Sequence, residues 1–236
     1  ATPELADLGL ELGFEVVRVD ASETMFEAVR PREHAEDRAK ERRLVADWRD
    51  LGSLASDSIH AVVGDAALNN VAHEDMPIVL AELQRVLARA GIVSLKQIVL
   101  PTTIGARLEL ESVSRARREG RLDWMAFRSL VRFWCFRRRA YDPARHVLDA
   151  SLVYEAVDEA RQKGTWTEEE YAYLSASRSE LRHTVYAAPT QVVRLRRAFG
   201  ACRARHASPA LHHQLFLVHH VARDLRGWVV DRPAVD

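Results

Sequence analysis

Three carboxylates stand where an apolar strand would hand over to a loop. Asp20 follows Phe14-Glu15-Val16-Val17-Arg18-Val19, Asp47 follows Leu44-Val45-Ala46, and Asp65 follows Ile59-His60-Ala61-Val62-Val63-Gly64. In open α/β sheets, ligands bind in the crevice at the carboxyl ends of the strands. A carboxylate at such a tip can accept a hydrogen bond from each hydroxyl of a ribose. Asp20 therefore reads as the mark of a nucleoside-containing cofactor. A lone Asp after a strand is about as often a helix cap or turn residue, so the three tips carry weight together rather than singly.

The elements that would position them follow from periodicity. Leu5, Leu8 and Leu12 predict a helix over 4–12, with Gly13 at its left-handed end. Ser22 suits the cap of a second helix whose apolar side is Met25, Phe26 and Val29. The charged stretch Arg30 to Arg43 reads as a solvated turn and helix end. Pro77 and the spacing of Val79, Leu83 and Val86 predict a helix over 75–90 that Gly91 ends. Ile92 to Leu100 is a long apolar strand closed by Pro101. Strands alternating with helices in this way imply βαβ units and a mostly parallel sheet, an α/β fold. Residues 105–183 read as helical, with Phe127, Leu130, Val131 and Trp134 on one face. Thr165-Trp166-Thr167-Glu168-Glu169-Glu170 has the composition of a helix start. A further helix is expected over 189–200, and Leu215 to Ala222 as a closing strand.

The series resembles the class I S-adenosylmethionine-dependent methyltransferases over roughly residues 1 to 100. Its most specific piece is Arg85-Val86-Leu87-Ala88-Arg89-Ala90-Gly91 before a strand, close to that family's R-V-L-K-P-G-G turn. The resemblance implies a Rossmann-like sheet with a helical insertion after the fifth strand, and S-adenosyl-L-methionine as cofactor. It implies that Asp20 accepts from the ribose hydroxyls and that Ala21, Ser22 and Met25 line the adenosine pocket. Asp47 would accept from the adenine amino group and Trp48 would flank the base. Asp65 and Ala66 would hold the methionine end, and Asn69 would face the substrate. Thr2 and Pro3 would be the remnant of the family's Gly-rich loop. The family's first strand and most of that loop are not represented before Ala1, so a gap in the middle of the sheet is expected. The division implied is a cofactor-binding core over 1–104, a helical insertion and substrate lid over 105–188, and a C-terminal helix and closing strand over 189–236.

A nicotinamide-dinucleotide fold also places an acid after its second strand, but requires G-x-G-x-x-G upstream of the residues given. Asp47-Trp48 and the Arg85 to Gly91 segment favour the methyltransferase, and no Tyr-x-x-x-Lys pair of the short-chain dehydrogenase kind occurs. Methyl transfer from a sulfonium needs little acid–base chemistry, because orientation supplies much of the rate. The candidates for a general base are Asp65 and His73. Tyr141, Tyr154, Trp166, Tyr171 and Tyr173 offer aromatic lining for an acceptor. The second reading is a degenerate domain of the same fold acting as a non-catalytic binding or interaction module.

Composition narrows the partners. Lys plus Arg and Asp plus Glu are 34 each, so the net charge is near zero. That gives no electrostatic pull toward nucleic acid or an anionic membrane, and a small-molecule substrate is expected. No apolar run reaches the roughly 20 residues of a spanning helix. No secretory signal opens the sequence, and a cytoplasmic location is the expectation. Phe133 to Arg139 mixes aromatic and basic residues, which reads as a helix face with a cationic last turn rather than a nucleic-acid patch. His206, His212, His213, His219 and His220 lack accompanying acids or cysteines, and no metal is expected. Cys135 and Cys202 are too few for a disulfide framework.

Overall fold

A computed structural model describes residues 3–35, 38–100, 109–176, 178, 181–206 and 216–222. Helix α1 (Pro3–Glu11) leads through Gly13, at φ +82°, into β1 (Val16–Asp20). Helix α2 (Glu23–Val29) and a 3-10 turn (Arg30–Arg32) return the chain to β2 (Glu41–Val45), which pairs with β1 in parallel. Strand β3 (Ile59–Asp65), a 3-10 turn (Ala67–Asn70), α3 (Met76–Val86) and β4 (Leu87–Leu100) form a second βαβ unit. Its two strands are also parallel.

The middle of the chain is a helical unit. It comprises α4 (Leu110–Arg118), α5 (Trp124–Leu130), a π-helical turn (Val131–Cys135), α6 (Arg137–Ala140), α7 (Ala150–Gln162) and α8 (Glu168–Ser175). The expectation of helix throughout 105–183 needs correction. Strands β5 (Tyr141–Asp142), β6 (Val147–Asp149) and β7 (Arg182–Thr184) form a small antiparallel sheet among the helices. Strand β8 (Tyr186–Ala187) then pairs with the end of β4, and α9 (Ala188–Phe199), β9 (Ala201–His206) and β10 (Phe216–Ala222) follow. The order β3-β4-β10-β9 puts two antiparallel strands beside a parallel pair. Among the described residues the β1–β2 ladder is separate from that sheet.

Burial follows the apolar pattern. Val79, Leu80, Val93, Leu95, Leu195 and Phe199 pack α3 and α9 onto the sheet. Buried Gln191 donates to Gln97 Oε1 at 2.8 Å across the same contact. Leu51, Leu54 and Val86 form a second cluster with Val17, Val19 and Leu44, which joins the β1–β2 ladder to α3. Phe127, Leu130, Val131 and Trp134 are all buried in the helical unit's core, so the aromatics of 133–139 are packed inside.

Two further expectations are corrected. The charged stretch after α2 is solvated only in part: Arg30, Arg32, Lys40 and Arg42 are exposed, but Glu33 and Glu41 turn inward. Arg18 and Asp7 are 8% and 4% exposed, and the Glu33 and Glu41 side chains are buried with them. Arg18 bonds Glu33 and reaches Glu41 at 2.9 Å, and Arg38 reaches Asp7 at 2.7 Å. Burial opposes the charge on Asp7, yet the His34 amide and Arg38 hold its carboxyl below the ordinary range. Nor does Gly91 end a helix: α3 stops at Val86, and Leu87–Gly91 already lies in β4. The register against β3 jumps from Ile59↔Leu87 to Ala61↔Ile92, a bulge. A Cβ at Gly91 would come within 2.7 Å of Leu87 Cδ1, so this fold-back admits only glycine.

Candidate cofactor and acceptor site

The tips of β1 and β2 lie side by side. Asp20 stands opposite Val45, and the amide of Ala46 donates to the Asp20 carbonyl at 3.0 Å. The Asp20 carboxylate accepts from the Ser22 amide at 3.0 Å and thereby shapes the turn into α2. This replaces the expected cap: the Ser22 hydroxyl makes no capping bond and lies 2.6 Å from that of Thr24. Met25 is 41% exposed rather than packed with Phe26 and Val29, which are buried. Ala21 is exposed at the same edge. Pro3 is buried in the first turn of α1, and Thr2 lies outside the described residues.

Asp47 is held by Arg49. Its oxygens accept from Nε at 3.0 Å and Nη2 at 2.6 Å, and from the Arg49 amide at 2.8 Å. These contacts hold the Asp47 carboxyl below the ordinary range. Arg49 Nη1 also reaches Asp75 at 3.0 Å and links this loop to the start of α3. Trp48 is half-buried between two apolar clusters. Leu44 to Asp47, with Asp50, Gly52 and Ser53, line a shallow hollow here.

At the tip of β3, Asp65 lies 3.1 Å from Lys96 Nζ, across the ladder on β4. Ala66 follows at φ +53°, a left-handed conformation uncommon for alanine. Asn69, expected to face the substrate, is instead 2% exposed. Its Nδ2 donates to the carbonyls of Ile98 and Thr184 at 3.0 and 2.7 Å, and its Oδ1 accepts from the Ile98 amide at 2.9 Å. All of its described bonds thus pin the loop to β4 and β7.

His73 sits on the same loop, with Nδ1 2.7 Å from the Tyr186 hydroxyl. Its ring lies 5.0 Å from that of His146, which lies 4.8 Å from Tyr186. Tyr141 donates to the Val185 carbonyl at 3.0 Å beside them. Burial, then His73 and Arg194, push the His146 imidazole below its ordinary pKa. Tyr186 and His146 escaped the sequence reading because they lie far from His73 along the chain. The other aromatics proposed as lining serve packing: Tyr154 and Trp166 are buried, and Tyr171 donates to Asp158 at 2.9 Å.

These donors and acceptors suit a sulfonium nucleoside. Asp20 and Asp47 offer acceptors for hydroxyls and an amino group. Asp65 and Lys96 offer the two charges that an amino-acid end requires. The chemistry of the set fits S-adenosylmethionine.

Residues 1–95 match the family model described as a methyltransferase domain. No curated protein matches the sequence significantly. The fold is similar to the PH0226 protein from Pyrococcus horikoshii OT3, at 15% identity and TM-score 0.52, over 92% of this chain and 76% of that one. It is also similar to a Rhodobacter sphaeroides structure described as a Zn-dependent alcohol dehydrogenase, at 14% identity and TM-score 0.53, over 94% and 80%. A SAM-dependent methyltransferase from Methanosarcina mazei aligns at 13% identity and TM-score 0.51, over 93% and 85%. At such identities the likeness establishes a Rossmann-like α/β fold, and the family match covers the first two βαβ units, about two fifths of the chain. Residues 1–95 thus carry the mark of a methyltransferase domain, a class of enzyme whose cofactor is S-adenosylmethionine.

Proposed function

We propose that the chain transfers the methyl group of S-adenosylmethionine to a small-molecule nucleophile by in-line displacement. The observation that carries this reading is the pairing of the β1 and β2 tips, which sets Asp20 beside the Asp47-Trp48 loop. In this reading Asp20 accepts from the ribose, Asp47 from the adenine amino group, and Trp48 flanks the base. Ala21, Ser22 and Met25 line the adenosine pocket, while Asp65 and Ala66 meet the methionine end. The bound sulfonium supplies an activated leaving group, so the protein's work is to orient the acceptor and exclude water.

His73 and Asp65 remain the candidates for taking a proton from the acceptor. If His73 Nδ1–H donates to the Tyr186 oxygen, its Nε2 holds the lone pair that a base needs. The core would comprise 1–104 and 189–236, with 105–188 shaping the acceptor pocket. Support comes from Ala66 and Leu100, which pack against the helical unit's apolar cluster. The balanced charge favours a small acceptor.

The test is the affinity for S-adenosylhomocysteine of Asp20→Ala against the unaltered chain. Loss of an ionised acceptor is expected to cost about 1.5–3 kcal/mol. Unchanged affinity would remove Asp20 from the site.

A further inference from the structure

Several arginines of the helical unit face an acid. Arg118 reaches Glu170 at 2.8 Å, Arg139 reaches Glu159 at 2.7 Å, and Arg182 reaches Asp149 at 3.1 Å. Arg132, in the π-helical turn, differs: among the described residues no carboxylate pairs with it. Its Nη2 lies 2.7 Å from His183 Nε2, and its guanidinium lies 5.3 Å from the centre of the Phe133 ring. Its Nε is buried with no hydrogen-bond partner among the described residues. His183 is 6% exposed, and its Nδ1 is likewise buried and unpartnered. Since His183 Nε2 accepts from Arg132, the ring's proton stands on Nδ1. Both orphaned atoms are therefore donors beside an unneutralised cation. One helical turn earlier, Arg128 adds a second cation over the Tyr173 ring.

Such a group bears part of the desolvation cost of its charge with no counter-ion among the described residues to offset it. Burial and the Arg132 charge push the His183 pKa down to about 4, so the ring is neutral near pH 7. The arrangement lacks one component, an anionic acceptor. Its place in the fold points to the acceptor molecule. Thr184, next to His183, donates to the Val71 carbonyl at 2.6 Å and accepts from Asn69, so β7 is tied to the loop that follows Asp65. Phe133 and Trp134, which follow Arg132 in the π-helical turn, share a cluster with Ala66 and Leu100 at the carboxyl ends of β3 and β4.

We propose that Arg132 and His183 form a binding site for a carboxylate group carried by the methyl acceptor. The identity of that ligand as an acceptor rests on the methyltransferase reading; the anion site itself does not.

The experiment is a titration of the full chain with sodium benzoate, followed through the side-chain NMR signals of His183. Benzamide serves as the neutral isostere. A saturable shift with benzoate and none with benzamide is expected. In Arg132→Met the benzoate affinity should fall about tenfold or more, as loss of a charge-assisted bond implies. Without benzoate, that variant should melt no lower than the unaltered chain, because it removes a partly buried charge that has no counter-ion among the described residues. Absence of a benzoate shift in the unaltered chain overturns the proposal, as does an equal response to benzamide. A lower melting temperature of Arg132→Met with unchanged benzoate affinity assigns Arg132 a packing role and also overturns it. S-adenosylhomocysteine binding, measured separately, reports on the methyltransferase reading.

Discussion

Glu82 illustrates how one side chain sets a loop near the site. It accepts from Arg85 Nε and Nη2 at 2.9 and 2.8 Å and from the Leu51 amide at 2.9 Å. Arg85 in turn donates to the carbonyls of Leu51 and Leu54, both at 2.9 Å. The pair thus holds the segment after Asp47 against α3. Arg85 and the Leu51 amide lower the Glu82 pKa from 4.5 to about 2. A depressed carboxylate contributes stability above its unfolded pKa and loses it as pH falls through the folded value. Glu82→Gln is expected to cost about 1–2 kcal/mol near pH 7, and less below pH 4. Urea denaturation at both pH values checks this; an equal loss at each would assign the effect to shape rather than charge. The Arg-Val-Leu segment was legible as a family signature, but its physical task was not. The carbonyls Arg85 binds belong to a loop more than 30 residues away.

At the scale of elements, helices with local signals were readable. Thr167 accepts from the Glu170 amide while Glu170 accepts from the Thr167 amide, the reciprocal cap that the sequence there implies. The start of β4 and the charged stretch were not readable. The Leu87 to Gly91 bulge depends on pairing with β3, and the buried ion network draws Asp7 and Arg18 from elsewhere in the chain. Asn69 was misplaced for the same reason, since both carbonyls it binds are remote. Asn69→Ala would strand the Ile98 amide and the carbonyls of Ile98 and Thr184. A loss of about 2–4 kcal/mol is expected from several such groups, each costing about 1–3 kcal/mol with partial relaxation. Chemical denaturation measures it. A change under about 0.5 kcal/mol, the scatter of ordinary surface substitutions, would show that the loop holds without Asn69.

Over the whole molecule, the fold brings three aspartates to the carboxyl ends of their strands, and a helical unit packs beside the third. Asp20 ends the β1–β2 ladder and Asp47 follows two residues beyond it, while Asp65 lies on the ladder of β3 and β4. The sheet class, the strand tips and the closing strand were legible because each rests on a short run of sequence. The cluster of His73, Tyr186 and His146, and the Arg132–His183 pair, were not, because tertiary contacts make them. The most direct measurement is calorimetric titration of the full chain with S-adenosylhomocysteine and, in parallel, NAD. The prediction is saturable one-to-one binding of the first and no binding of the second. No heat with S-adenosylhomocysteine at saturating concentration, or binding of NAD in its place, would contradict it.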